Sequence, residues 1–119
     1  MSIERFDVGP RLSEMTVHRI GDGGTVYLAG QVAADGSQDI RGQTAQVLGA
    51  IDALLARAGT DKSRLLRVQI FLADLADFPG MNEVWESWLP AGAAPPRATV
   101  QAALARPEWK VELVVTAAL

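Results

Sequence analysis

Few residues in this chain have the type and setting to do chemistry. Arg97 is the first of them. It follows Pro95 and Pro96, whose rings stiffen the approach, and it is flanked by the small and apolar Ala98 and Val100. A guanidinium on such a semi-rigid strand could grip a carboxylate with two parallel hydrogen bonds; the plainer alternative is a surface arginine paired with an acidic side chain. Glu112 lies between Val111 and Leu113 in the most apolar segment of the chain. In a dry cleft it could relay a proton or hold a water, whereas on a solvent-facing surface it is an ordinary outward glutamate. Asn82 follows Met81 and is read as lying off the apolar stripe of its helix, where it either orients a polar ligand or is solvated.

Other chemistries lose their parts list. There is no cysteine, which removes disulfides, thiolate metal sites and a cysteine nucleophile together. His18 is the only histidine, so a two-histidine metal site is excluded, and no convergent partner for it is visible. Counting alone leaves a carboxylate-only site for magnesium or calcium open, but the acidic residues are scattered. Neither Ser13 nor Ser87 stands in a motif that would support a Ser-His-Asp arrangement.

The elements that must position these residues can be read from periodicity. Residues 16–20 and 25–29 are β-branched and aromatic, and Gly21-Asp22-Gly23-Gly24 between them predicts a hairpin turn. A phosphate-binding loop there would need a following Lys-Ser/Thr, which is absent. From about Ile40 to Ala58, Val47, Leu48, Ile51, Leu54, Leu55 and Ala58 recur at spacings of three and four and predict one long amphipathic helix. Asp39 is its expected N-cap and Gly59 its left-handed C-cap. Leu66 to Leu72 alternates as a strand. A second helix is expected from Asp77, with Pro79 in the first turn. Phe78, Met81, Trp85 and Trp88 line one side of it, read as core packing against a sheet rather than as ligand-stacking rings. Arg97–Ala102 and Lys110–Ala118 close the chain as strands, the first with Arg97, Thr99 and Gln101 on one face. The order is β-β-α-β-α-β-β, with a further N-terminal strand expected over residues 3–7. It predicts one two-layer α+β domain over residues 1–119, with both helices on one sheet face. The other face has too little chain left to cover it.

Composition agrees with such a domain and narrows its partners. Of the 119 residues, 49% are hydrophobic and only 21% charged, which suggests that some apolar surface is buried between subunits. The net charge is −3 and the eleven Lys and Arg residues form no cluster. Nucleic-acid binding draws its affinity from phosphate neutralisation, so nucleic acid is not expected as a partner. The N-terminus lacks a signal-peptide pattern and no apolar run approaches the length of a membrane helix, so a soluble, cytoplasmic protein is expected.

Several segments, taken together, resemble one family. Val26-Tyr27-Leu28-Ala29-Gly30-Gln31-Val32 is similar to a family strand that ends in Ser-Gly-Gln. Gln43-Thr44 in the long helix, Met81-Asn82-Glu83-Val84-Trp85, Pro95-Pro96-Arg97-Ala98-Thr99-Val100 and Val111-Glu112-Leu113 follow at the family's spacings. On these residues the chain is identified as a divergent member of the Rid family (reactive intermediate deaminase, RidA/YjgF-like), and the likeness runs over nearly its whole length.

The resemblance implies a chorismate-mutase-like fold assembled as a homotrimer, with three sheets forming a central barrel and ligand sites between subunits. It implies hydrolysis of reactive 2-imino and enamine acids, such as imines derived from 2-aminoacrylate, to 2-keto acids and ammonia, with no metal and no organic cofactor. Arg97 would clamp the carboxylate and Glu112 would handle the water, while Asn82, Thr99, Gly30 and Ala29 would line the site. A non-catalytic trimer that binds small keto acids is the alternative. Ribonuclease activity, attached to some members, is disfavoured by the acidic balance. Three positions depart from the family pattern. Ala29 stands where the serine of Ser-Gly-Gln is usual, Thr99 where a cysteine is common, and Gly9-Pro10 is followed by Arg11 rather than tyrosine.

Overall fold

The computed structural model describes residues 1–119. Six strands, β1 (Ser2–Phe6), β2 (Met15–Ile20), β3 (Gly23–Leu28), β4 (Leu65–Leu72), β5 (Arg97–Gln101) and β6 (Val111–Ala118), form one sheet in the order β1-β2-β3-β6-β4-β5. All neighbours are antiparallel except β4 and β5, which run parallel because helix α2 (Phe78–Trp88) carries the chain back between them. Helix α1 (Ile40–Ala58) packs beside α2, and its buried stripe of Val47, Leu48, Ile51, Leu54 and Leu55 joins the apolar side chains of β2, β3, β4 and β6 in one core. This is the expected two-layer α+β sandwich.

Local chemistry explains the boundaries. Asp39 Oδ1 accepts from Gly42 N at 2.8 Å, and Gly59 closes α1 at φ 86°. The expected four-residue turn between β2 and β3 is tighter than that: Ile20 pairs with Gly23, so only Gly21 and Asp22 turn, with Gly21 at φ 60°. Gly23 and Gly24 belong to β3, where a side chain on Gly24 would collide with the His18 carbonyl. Gln43, wholly buried in the first turns of α1, ties the connections together. Its Nε2 donates to the carbonyls of Gly36, Gln38 and Glu108, and its Oε1 accepts from Lys110 N at 2.9 Å. The segment that leads into β6 is thereby pinned to the helix layer.

No element covers the second face of the sheet. Register and alternation put Ile3, Ile20, Tyr27 and Val100 on it, all exposed, with the half-buried Phe71, Glu112 and Val114 between them. No helix is long and apolar enough to cross a membrane.

Candidate functional site

Arg97 opens β5, one of the two edge strands of the sheet. The Pro96 carbonyl just before it accepts from Val68 N at 3.1 Å, which fixes the strand entry against β4. Arg97 is in register with Val68 and Thr99 with Ile70. Both partners are core residues, so Arg97 and Thr99 face the helix layer. There the guanidinium meets α2. Nη2 donates to Asn82 Oδ1 at 2.6 Å, and the guanidinium carbon lies 5.4 Å from the centre of the Trp85 ring and 5.7 Å from that of Phe78. Nη1 and the Thr99 hydroxyl are buried without a hydrogen-bond partner.

The electrostatics of this corner are unusual for an arginine. The ion pairs of the chain join Arg41 to Glu83, Arg57 to Asp7 and Arg106 to Glu108, and none involves Arg97. Burial pushes its pKa below the ordinary value, opposed by the charge of Glu86. A cation held by an amide and two aromatic rings, with no carboxylate in ion-pair contact, is suited to an anion. A shallow pocket of about 360 Å³ opens at the strand entry, lined by Leu66, Arg67, Pro96, Arg97 and Ala98; Asn82, Phe78, Trp85 and Thr99 do not border it.

A second cluster forms around Glu112. Gln31 and Leu113 exchange backbone hydrogen bonds of 2.8 and 3.1 Å, which clamps the segment after β3 onto β6. Gln31 Nε2 donates to Glu14 Oε2 at 3.1 Å and to the Ala29 carbonyl at 3.0 Å, and Ala29 N donates to the Glu14 carbonyl. Gly30 is thereby pressed against Glu112: a Cβ there would stand 2.9 Å from the carboxyl carbon, closer still to Oε2. Glu112 pairs with Phe71, on the face away from the helices.

Of the residues singled out from sequence, the fold thus gathers Arg97, Asn82 and Thr99 in one group and Ala29, Gly30 and Glu112 in another, on opposite faces of the sheet. Asn82 is not off the helix stripe. Phe78, Asn82 and Trp85 are spaced by four and three and share the face that meets Arg97. That spacing was the available signal for the contact of Phe78 and Trp85 with the guanidinium. Trp85 is also buried in the core, as expected, while Phe78 is exposed on its outer side. His18 sits half-buried on the uncovered face between Ile3 and Thr25, and the Ser87 hydroxyl donates to its own helix at Val84 O.

A six-stranded sheet in this order, with two helices on one face and an arginine at its edge strand, defines an α+β protein of the YjgF type. A YjgF-family crystal structure from Neisseria meningitidis superposes with a TM-score of 0.90 at 44% identity, covering 98% of this chain and 94% of that one. The family model described as Endoribonuclease L-PSP matches residues 10–119, and the chain belongs to that family, which takes in the RutC, YjgF and Rid proteins. A RutC family protein of Haemophilus ducreyi is 48% identical over 117 residues, 98% of this chain and 97% of its own length. The chloroplastic Reactive Intermediate Deaminase A of Arabidopsis thaliana is 37% identical over 83 residues, 70% of this chain and 44% of that protein.

Proposed function

We propose that the chain hydrolyses small reactive 2-imino and enamine acids to 2-keto acids and ammonia, as a cytoplasmic homotrimer with its sites between subunits. Arg97 carries the reading: it is a half-buried guanidinium whose hydrogen-bond and ring partners are all neutral. An imino acid presents a carboxylate next to an electrophilic C=N carbon. Arg97 would hold the carboxylate and so fix that carbon, which is catalysis by position. Glu112 of a neighbouring chain would take a proton from the attacking water and return it to the departing nitrogen, a contribution of about 10²- to 10⁴-fold. Water adds to carbon, the C–N bond breaks, and ammonia leaves behind a keto oxygen. The apolar, uncovered sheet face supports association, since exposed residues such as Tyr27 and Val100 gain from burial. The named deaminase among the relatives supports the reaction class.

The missing hydroxyl at Ala29 favours a second reading, a trimer that binds keto acids without turning them over. An oxidase that generates 2-iminopropionate separates the two when keto-acid and ammonia release are followed. Wild type accelerates release and Arg97→Ala loses nearly all of it while remaining folded and trimeric by sedimentation. Background rates with wild type, together with a keto-acid-dependent rise in melting temperature, select the binder. The net charge of −3 and the scattered basic residues speak against an RNA substrate.

A further inference from the structure

Two aromatic side chains of α2 stand by the guanidinium, and the proposed chemistry assigns them no part. Trp85, 5% exposed, is anchored in the core and offers its ring from within. Phe78, 38% exposed, closes over the same group from the rim. A core phenylalanine would be covered by apolar neighbours, and a purely solvated one would pack on nothing. Phe78 instead pairs with a cation whose other contacts are Trp85 and the Asn82 amide oxygen. An arginine side chain has four rotatable bonds, and one hydrogen bond to Asn82 leaves the plane of its fork free to swing. Two rings lie within cation–π reach to restrict that freedom, and no carboxylate forms an ion pair with the cation.

We infer that Phe78 and Trp85 are positioning residues for anion capture, setting the orientation of the Arg97 fork in advance so that a carboxylate meets an already ordered guanidinium. This rests on the carboxylate-binding reading above. Pre-ordering removes an entropy loss from the binding step, so losing a ring weakens affinity for the acid without touching the ligand.

The probe is 2-oxobutyrate, titrated calorimetrically into the full-length chain, with butyramide as the neutral control. Phe78→Leu should weaken 2-oxobutyrate binding about five-fold, the scale of one cation–π contact. Phe78→Tyr, which keeps the ring, should restore it, and butyramide should be unaffected throughout. Trp85→Phe should bind more tightly than Trp85→Leu. A packing role alone would leave the mobility of the Arg97 Nε–H bond, read by side-chain NMR relaxation, unchanged in Phe78→Leu. Positioning predicts a rigid Nε–H in wild type and Phe78→Tyr and a mobile one in Phe78→Leu. Because Phe78 is partly exposed, its variants stay informative if Trp85→Leu fails to fold. Binding that requires Arg97 yet ignores Phe78→Leu, with unchanged arginine mobility, overturns this inference and leaves the functional reading standing. No binding of 2-oxobutyrate to wild type overturns both.

Discussion

Gly30→Ala isolates the role proposed for Glu112 better than removing the carboxylate. Gly30 does not adopt positive φ, so alanine is permitted by the backbone, and what the glycine supplies is space. The added methyl would lie 2.9 Å from the Glu112 carboxyl carbon and 3.3 Å from Cγ, with Oε2 nearer still. Restoring ordinary contact requires the carboxylate to retreat by about 1 Å, which rotation of the half-buried side chain permits for about 1 kcal/mol. Folding therefore tolerates the change, with a melting temperature within a few degrees of wild type. On the proposed reading catalysis does not, because a misplacement of about 1 Å costs about 10²-fold in rate. The assay is oxidase-coupled ammonia release from 2-iminopropionate, run for Gly30→Ala, Glu112→Gln and the double variant. If the methyl acts through the carboxylate, the double variant is no slower than Glu112→Gln alone. A Gly30→Ala protein as fast as wild type, or two losses that multiply, would refute this account of Glu112.

Gln43→Leu strips partners from three carbonyls and the Lys110 N–H at once, and should lower stability by about 3 to 5 kcal/mol in denaturant titration. A loss below about 1 kcal/mol would mean that water replaces the amide. Mixing Arg97→Ala with Glu112→Ala subunits, each inactive alone, should recover about a quarter of wild-type activity after dissociation and reassociation, since random assembly pairs an intact arginine with a neighbour's intact glutamate at that frequency. No recovery would place both residues of a working site in one chain.

The fold was legible from sequence wherever a period or a cap sets structure locally. The α1 stripe and its Asp39 and Gly59 ends, the alternation in β4 and β6, and the Gly-rich hairpin all express preferences of a few neighbouring residues. The tighter turn at Gly21–Asp22 was missed because glycine fits both a turn and a close strand approach, and only the His18 carbonyl across the pair decides between them. At the site, Arg97 and Glu112 stood out by their company in sequence. Their neighbours in space did not. Gln43 reads as a polar residue on a helix until the loops at Gly36 and Glu108 converge on it. The aromatic stripe of α2 satisfied a core pattern so well that its contact with a cation left no separate trace, except that Asn82 falls in the same helical register.

The separation of Arg97 from Glu112 bears directly on how such a chain could work. A β-sheet sends alternate side chains to opposite faces, so a strand edge that hands Arg97 to the helix layer while β6 hands Glu112 to the open face keeps the two apart in every copy. No rotamer change carries a side chain through a sheet. On the proposed reading, chemistry that needs both must borrow one from a second copy, and the uncovered face that bears Glu112 is the surface such a copy can reach. Each chain would then be inert by itself, with a cation too well shielded from acids to be quenched and a carboxylate with nothing to activate water against. Association would bring substrate grip and proton transfer together in a single step, making assembly a condition of catalysis as well as a means of burying Tyr27 and Val100.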